Sequence, residues 1–275
     1  MLTLVATPLG NLADMPPRAA HALQTADVVA CEDTRTTGKL LQLLGIKAKK
    51  LISYHQHNEA ARATELVAVM QQGQQVALVS DSGVPGISDP GATLVRAARQ
   101  AGVAVTVVGA GSAVAAVAAG SGLAEAGFVF VGFAPRAEGA RQELWRAHSQ
   151  HGLPLVVYES PHRVGALVES LLTAMGDQPA WLGRELTKMH EEWLGPTLAS
   201  IATQLAQRAE VKGECALIVA NPPRQHASAA PPDIAQALAA GHSVRAVADE
   251  LAAALGISRN AAYAQVQAVK KAQPR

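Results

Sequence analysis

The sequence predicts an α/β protein of two lobes, built on parallel, helix-covered sheet and followed by a small helical extension. Its 275 residues are too many for a single small module and suit about two domains. Short apolar runs of strand length alternate with segments of helical period, which is typical of a parallel sheet. The core is aliphatic, because 49% of the residues are hydrophobic but only 3% are Phe, Tyr or Trp.

Residues 1–120 are predicted to form the first lobe. Its strands are short apolar runs, which is typical of strands buried on both faces: Leu2–Ala6, Asp27–Cys31, Leu51–Tyr54, Val76–Ser80 and Val103–Val108. Helical periodicity predicts helices at Pro17–Ala26, Thr36–Leu44, Asn58–Gln71, Pro90–Ala101 and Ser112–Ala119. Pro17 suits a first helical position, Asn58 a cap, and Gly45 and Gly73 suit helix ends.

The alternation restarts after Gly120-Ser121-Gly122, which predicts a second lobe of similar plan over residues 121–221. The predicted strands are Phe128–Phe133, Leu155–Tyr158, Trp181–Leu186 and Cys215–Ala220. The predicted helices are Glu138–Ser149, Pro161–Met175 and Leu198–Ala209, the last capped by Thr197.

Residues 222–232 are rich in proline and alanine without any period, and we expect a linker there. Residues 233–275 then predict three short helices, each begun by Asp or Ser: Asp233–Ala240, Ser243–Leu255 and Ser258–Lys271. The last two have helix-turn-helix spacing across Gly256-Ile257-Ser258. A simple three-helix packing module is the alternative interpretation.

Composition limits the classes of function. Lys and Arg number 23 against 22 Asp and Glu, so any binding to nucleic acid must rest on local patches. Candidate patches are Lys39, Lys47, Lys49 and Lys50; Arg136, Arg141 and Arg146; and Arg259, Lys270 and Lys271. The alternative is that these are ordinary solvated helix faces.

The cysteines and the chain start limit the setting in which the protein works. Cys31 and Cys215 each fall in a predicted buried strand, which indicates core residues rather than a disulfide or a zinc site. The first residues lack the basic region with which a signal peptide begins, and no apolar stretch is long enough to cross a bilayer. We therefore expect a soluble, cytoplasmic protein without a membrane partner.

Three glycine-containing loops that follow predicted strands are the candidate ligand site, since ligands bind beyond the carboxyl ends of parallel strands. They are residues 7–11, 80–91 and 109–112. The second is longer than a simple turn requires. We expect its Asp81–Gly86 segment to bind a cofactor, with Asp81 accepting hydrogen bonds from a ribose or an amino group. Asp89 is predicted to cap the next helix through Asp89-Pro90.

Several common sites are excluded by their missing motifs. The first strand is not followed by G-x-G-x-x-G, and the chain contains no G-x-x-x-x-G-K-[ST] phosphate loop. G-x-S-x-G and H-E-x-x-H are also absent. His55 and His57 share one strand face but have no evident third ligand, so we expect no metal. These histidines either stack or hydrogen-bond near a ligand, or are ordinary loop residues.

Six segments occur in a characteristic order: Val5–Asp14, Cys31–Gly38, Ser53–Glu59, Val79–Gly91, Tyr158–Arg163 and Arg184–Lys188. Together they resemble the tetrapyrrole methylase superfamily, and within it the 16S ribosomal RNA ribose 2′-O-methyltransferases. The resemblance covers about residues 2–220, and a short helical extension is also familiar in this family. It implies a two-lobed fold that holds S-adenosylmethionine between the lobes, and a homodimer. It also implies methylation of the ribose of a decoding-region cytidine, cytidine 1402, in the small ribosomal subunit.

Residue roles follow from the loops and from this resemblance together. The expected cofactor-binding residues are Pro8, Asp81, Ser82, Gly83, Val84, Gly86, Ser112, Ala113, Tyr158 and Glu185. The expected catalytic residues are Glu32, Asp33, Arg35, Glu159 and Arg163. Glu32 or Glu159 would act as the base or orient the hydroxyl, while Arg35 and Arg163 would grip phosphates. The alternative is that these carboxylates and arginines only pair with one another.

The sequence departs from the family pattern at the cofactor loops. Ser82 and Val84 stand where the family usually has alanine and threonine, and Ala110 replaces a proline. These changes bear on cofactor affinity and not on the reaction class. Two other functions stay open: a methylase acting on a small tetrapyrrole, and a non-catalytic RNA-binding or assembly factor built on the same scaffold. Glu32–Gly38 and the basic clusters speak against the first, and the intact Asp81–Gly86 loop against the second.

Overall fold

The computed structural model describes residues 1–109, 111–148, 151–221, 232–255 and 259–272. The chain separates into two compact units. The larger comprises Met1–His148 and Leu153–Asn221 and contains both sheets, and the smaller contains the C-terminal helices. No helix among the described residues is long and apolar enough to span a bilayer.

The first sheet is parallel throughout, as the sequence predicts. Its five strands are β1 (Leu2–Val5), β2 (Val28–Cys31), β3 (Leu51–Ser53), β4 (Val76–Val79) and β5 (Val105–Val108), in the spatial order β3-β2-β4-β1-β5. Its helices are α1 (Pro17–Thr25), α2 (Thr34–Leu43), α3 (Glu59–Gln71) and α4 (Ala92–Gln100). A short 3-10 helix at Leu12–Asp14 precedes α1.

Helices cover both faces of this sheet, which explains why its strands are continuous apolar runs. On one face Leu4 and Leu78 pack with Leu66 of α3 and Leu94 of α4. The opposite face has a separate buried cluster of strand residues and residues of α1 and α2: Val5, Val29, Cys31, Ala77, Val79, Ala19, Leu23 and Leu41.

The second sheet is mixed, so the expectation of a second parallel lobe of similar plan is wrong. Its strands are β6 (Val129–Phe133), β7 (Leu155–Glu159), β8 (Ala180–Arg184), β9 (Glu192–Leu194) and β10 (Cys215–Val219), in the order β6-β7-β10-β8-β9. Only β6 and β7 are parallel, and the other pairs are antiparallel. The three residues of β9 are too few to show a strand pattern, and a hairpin from β8 needs no crossover helix.

Four helices belong to this sheet: α5 (Ala113–Ser121), α6 (Glu138–His148), α7 (Val164–Met175) and α8 (Leu198–Ala206). The last three pack into one buried cluster around Trp145, Leu171 and Ile201. Helix α5 packs through Val117 and Ala118 on the opposite face. The predicted first lobe ends at residue 120, but α5 therefore makes its core contacts with the second sheet.

The loops that follow β1 and β4 meet at one point of the first sheet. These strands are neighbours, yet the chain leaves β1 towards β2 and leaves β4 towards β5, in opposite directions. Thr7 and Gly83 form an isolated bridge there, with N–H···O distances of 2.8 and 3.1 Å. Such a switch point leaves a crevice in which open α/β sheets bind ligands.

The C-terminal unit contains α9 (Ile234–Ala239), α10 (Val244–Leu255) and α11 (Arg259–Ala272). They bury a small core of Val247, Leu251 and Val266. The predicted starts at Asp233 and Ser243 are confirmed, because the Asp233 carboxylate and the Ser243 hydroxyl accept bonds from helix N–H groups. The Gly256–Ser258 turn and residues 222–231 of the predicted linker lie outside the described residues, as does Ala110.

Candidate functional site

A cavity of about 350 Å³ lies between the two sheets of the larger unit. Its walls come from the loop after β4, the start of α5, the ends of β6 and β7, and the first residues of β10. It therefore adjoins the switch point of the first sheet and is completed by the second.

The loop after β4 is held in a defined shape. The Ser80 hydroxyl lies 3.2 Å from the Gly83 carbonyl oxygen and 3.3 Å from that of Ser82, in reach to donate to either. Gly83 has a φ of +78°, and a Cβ there would lie 3.4 Å from the Leu9 side chain. Ser88 also has a positive φ, of 64°, which is uncommon for a residue with a side chain. A loop whose backbone conformation is fixed in this way is suited to bind a ligand.

Asp81 and Asp89 both line the cavity from this loop. Asp81 Oδ1 accepts a hydrogen bond from the Asp33 N–H at 3.3 Å, and burial raises the pKa of Asp81. Burial, with the charge of Glu32 as the next cause, raises the pKa of Asp89 to about 6. Asp89 does not cap α4 as predicted, because α4 begins at Ala92 and its cap residue is Gly91.

Glu32, Asp33 and Arg35 follow β2 but do not line the cavity. Burial, followed by the charge of Asp81, raises the pKa of Glu32. Asp33 accepts from the Arg35 N–H at 2.8 Å and so caps α2, which begins at Thr34, two residues before the predicted start at Thr36. The Arg35 side chain, although 90% exposed, pairs with Asp33 at 2.6 Å, and this hydrogen bond lowers the pKa of Asp33 to about 2.

Glu159 and Arg163 form an ion pair at the end of β7. The Glu159 carboxylate is buried, and its Oε1 lies 2.5 Å from Arg163 Nη2 and accepts from the Ser160 N–H at 2.7 Å. Within the described part of the chain, Glu159 Oε2 and Arg163 Nη1 are buried without a hydrogen-bond partner. Glu159 lines the cavity and Arg163 does not.

Tyr158 connects the cavity wall to α5. Its hydroxyl accepts a hydrogen bond from the Val114 N–H at 2.9 Å, and burial raises its pKa. Ser112 is the cap residue of α5 but makes no capping bond through its side chain. Tyr158 thereby anchors the start of the helix, where Ser112 and Ala113 line the cavity.

Glu185 lies behind the wall. Burial raises its pKa, but bonds from Lys188 Nζ at 2.8 Å and from the Glu214 N–H outweigh this, so its pKa is lowered overall. Lys188 also pairs with Glu214 at 3.1 Å. A Cβ on Gly10 would collide with the Lys188 side chain, so the loop after β1 packs directly on this group.

The structure therefore brings part of the predicted site together. Eight predicted residues line the cavity: Asp81, Ser82, Gly83, Val84, Ser112, Ala113, Tyr158 and Glu159. Seven do not: Pro8, Gly86, Glu185, Glu32, Asp33, Arg35 and Arg163. The roles of all fifteen stay predictions.

Sequence reasoning missed other residues of the wall, including Ile87, Asp89, Phe133, Glu214, Cys215 and Ala216. Ile87 and Asp89 lie in a loop already singled out by its length. Glu214–Ala216 had no such signal, because β10 runs antiparallel to β7 and it is the amino end of β10 that reaches the cavity.

The remaining candidate groups have clear placements. His55 and His57 lie 5.9 Å apart between ring centroids. Among the described residues, no group of three or more His, Cys, Asp and Glu is arranged to hold a metal ion. Cys31 and Cys215 are free and buried, which confirms them as core residues, and burial raises the pKa of each thiol to about 11.

Several members of the predicted basic clusters are already paired. Lys49 pairs with Asp27 at 2.8 Å, Arg141 with Glu138, and Arg259 with Asp249 at 2.5 Å. Lys270 and Lys271 at the end of α11 are exposed, and α11 has no acidic residue.

Curated relatives match most of the chain. One from Synechocystis sp., named ribosomal RNA small subunit methyltransferase I, is 43% identical over 221 residues, covering 80% of this chain and 78% of the relative. Another of the same name from Mesorhizobium japonicum is 40% identical over 278 residues, covering 98% and 92%.

Solved structures match the fold. The methyltransferase CobJ superposes with a TM-score of 0.60 at 17% identity, over 80% of this chain and 93% of its own. Uroporphyrin-III-C-methyltransferase from Thermus thermophilus superposes with a TM-score of 0.55 at 21% identity, over 80% and 94%. The family model described as Tetrapyrrole (Corrin/Porphyrin) Methylases matches residues 1–202. The chain therefore belongs to the tetrapyrrole (corrin/porphyrin) methylases, a family of methyltransferases.

Proposed function

We propose that this methyltransferase uses S-adenosylmethionine to methylate ribosomal RNA of the small subunit, at the ribose 2′-oxygen of cytidine 1402 in the decoding region. The observation that carries the proposal is the cavity built jointly by the two sheets, in a chain about 40% identical to relatives named ribosomal RNA small subunit methyltransferase I. We expect the enzyme to act in the cytoplasm, where ribosomal subunits are, and to function as a homodimer.

The cavity suits the proposed cofactor. S-adenosylmethionine supplies a methyl group on a positively charged sulfur, and its ribose and amino groups are hydrogen-bond donors. Carboxylates of Asp81, Asp89, Glu159 and Glu214 line the cavity and favour such a cation and such donors. The unpartnered Glu159 Oε2 is an acceptor ready for one of them. Leu9, Leu186 and Ala216 supply apolar wall for a flat base.

Most of the rate enhancement comes from alignment. Transfer of a methyl group to a hydroxyl oxygen is an in-line displacement, and holding both partners in line removes an entropic barrier. The Thr7–Gly83 bridge and the Ser80 bonds fix the loop after β4 on one side, while Tyr158 fixes the start of α5 on the other. The residues thus hold the two reactants between rigid elements of both sheets.

The hydroxyl proton needs an acceptor. Asp89 has a pKa of about 6, close to neutral, and lines the cavity, which makes it the best-placed acceptor. Glu159 lines the cavity too, but its charge is already held by Arg163. Glu32 lies outside the wall and acts through its charge, which helps to raise the pKa of Asp89.

The two arginines differ in what they are free to do. Arg35 is exposed, and its surface pair with Asp33 is weak enough to yield to an RNA phosphate. Arg163 neutralises a buried carboxylate, so its loss would leave Glu159 charged and unpaired. We therefore assign phosphate binding to Arg35 and positioning of Glu159 to Arg163.

The test is transfer of labelled methyl from S-adenosylmethionine to small ribosomal subunits that lack their native modifications, followed by mapping of the label. Label on the ribose of the decoding-region cytidine is the expected result. Calorimetric binding of S-adenosylmethionine without transfer to subunits would point instead to a tetrapyrrole substrate. No binding of S-adenosylmethionine would indicate a non-catalytic scaffold protein and would contradict the proposal.

A further inference from the structure

We propose that Phe133 is the platform on which the base of the target nucleotide stacks while its ribose is methylated. The inference rests on the proposed function and names a specificity-determining residue that sequence reasoning did not single out. Its support comes from the path of β6, the exposure of the ring and a second exposed apolar residue of the cavity wall.

A β-bulge turns Phe133 towards the cavity. Val129 and Phe130 pair in register with Leu155 and Val156, but the next pairing is Phe133 with Tyr158, after a register shift. Gly132, with a φ of +69°, supplies the backbone turn. Residues three apart in a regular strand point to opposite faces. Here both Phe130 and Phe133 contact the Tyr158 ring, at centroid distances of 4.9 and 5.7 Å. Bulges beside active sites commonly re-aim a side chain in this way.

The ring of Phe133 contacts the Tyr158 ring but keeps much of its surface free. The chain has three phenylalanines, all at positions 128–133, and Phe130 is packed against the α5 cluster. Phe133 is 54% exposed and lines the cavity. An exposed aromatic ring on a cavity wall contributes little to stability, whereas it offers a flat face to a ligand.

A second exposed residue of the cavity wall is also apolar. Ile87, 42% exposed, lines the cavity from the loop after β4. That loop touches the end of β6, because a Cβ on Gly132 would lie 3.7 Å from Ser88 Oγ. Phe133 and Ile87 are thus two exposed apolar residues of the cavity wall, and the exposed Arg136 follows Phe133 in the chain, a residue type that binds phosphate.

A nucleobase fits this position better than the cofactor does. Phe133 is an exposed ring on the cavity wall, so a base that enters from solvent can stack on it. Proteins that act on one nucleotide of an RNA splay its base out and stack it on aromatic side chains. Stacking on Phe133 holds the base while its ribose reaches the carboxylates behind.

Phe133→Leu and Phe133→Trp test the proposal, with Phe128→Leu as the matched control. Phe128 precedes the same strand and does not line the cavity. We expect kcat/KM for unmodified small subunits to fall about 10- to 100-fold in Phe133→Leu, through KM, since each tenfold loss is about 1.4 kcal/mol. Phe133→Trp, which keeps a stacking face, should retain most of the kcat/KM that Phe133→Leu loses, and Phe128→Leu should stay near wild type. Calorimetric affinity for S-adenosylmethionine should be unchanged in all three.

Each other outcome has a definite meaning. Wild-type kcat/KM in Phe133→Leu would overturn the inference. So would a parallel loss of cofactor affinity, which would assign the ring to the cofactor. Thermal unfolding identifies a variant that lost activity by misfolding, and activity in Phe133→Trp supports the aromatic role independently. If wild-type protein transfers no methyl to subunits, the proposed function itself fails, which is a distinct result.

Discussion

At the scale of single residues, the chemistry of the cavity depends on carboxylates in unlike surroundings. Asp81 accepts a hydrogen bond from a backbone N–H, and Glu159 is paired with Arg163. Burial raises the pKa of Asp89 to about 6. A carboxyl group whose pKa lies near neutral is suited to accept a proton at neutral pH. Under the proposed function, Asp81 is assigned to cofactor binding and Asp89 to proton transfer.

Asp81→Ala should lose affinity for S-adenosylmethionine by at least about tenfold, since one charge-assisted hydrogen bond is lost. The side chain makes one described hydrogen bond within the protein, to the Asp33 N–H, so the fold should survive. Titration calorimetry measures the affinity, and Glu125→Gln, an exposed acid outside the cavity wall, is the control. Unchanged affinity in Asp81→Ala would remove this residue from the cofactor site.

Asp89→Asn should change stability in a pH-dependent way. The folded pKa of about 6 lies above the ordinary aspartate value of 3.8, so folding favours the protonated form. The contribution of Asp89 to stability is therefore complete below about pH 4 and is lost as pH rises to 6. Relative to wild type, the variant should gain on the order of 1–3 kcal/mol between these pH values and stay level above them. Urea unfolding at several pH values measures this difference.

Asp27→Asn provides a control of opposite sign. Its bond from the Gln75 N–H, followed by that from Lys49, lowers the pKa of Asp27. Its stabilising contribution is present above the ordinary aspartate value and disappears as pH falls through the lowered one. The loss of stability in this variant should therefore be greatest at neutral pH. A stability difference for Asp89→Asn that does not vary with pH would refute its raised pKa.

At the scale of elements, the loop after β4 depends on backbone shapes that glycine permits. Gly91 has a φ of 153°, and a Cβ there would lie 3.0 Å from the Gly86 nitrogen and 3.2 Å from Leu78. Gly91→Ala should therefore destabilise the protein by more than about 1 kcal/mol and weaken cofactor binding. Gly38→Ala, in α2 with open space around it, should instead stabilise by about 0.5–1 kcal/mol. Chemical denaturation compares the two, and equal effects would contradict a special role for Gly91.

Helix caps show which element boundaries are local in origin. Thr197 accepts from the Ser200 N–H and caps α8 as predicted, since the capping bond spans three residues. Asn58 occupies the cap position of α3, but its Oδ1 accepts instead from the His55 N–H. Asp89 lines the cavity and does not cap α4. Where another donor or a place in a buried loop competes for the side chain, residue type alone does not predict the helix cap.

At the scale of the whole molecule, a net charge of +1 means that the proposed RNA binding would depend on local groups of cations, such as the exposed Lys270 and Lys271. Lys270→Gln with Lys271→Gln should weaken binding to small subunits and reduce the slope of log affinity against log salt by about 1 to 2. Lys212→Gln, whose lysine pairs with Glu210 at 3.1 Å, is the control. An unchanged slope in the double variant would show that α11 does not contact the RNA.

The sequence by itself determined the first sheet, the motif-bearing loops and the family. These depend on apolar runs, caps and glycines that act over a few residues, and on six ordered segments that lie within the matched region. The tertiary structure alone decided the antiparallel β10, the bulge before Phe133 and the inclusion of Asp89 and Glu214 in the wall. Strand direction, register and burial arise from contacts between residues far apart in the chain, and no local pattern encodes them.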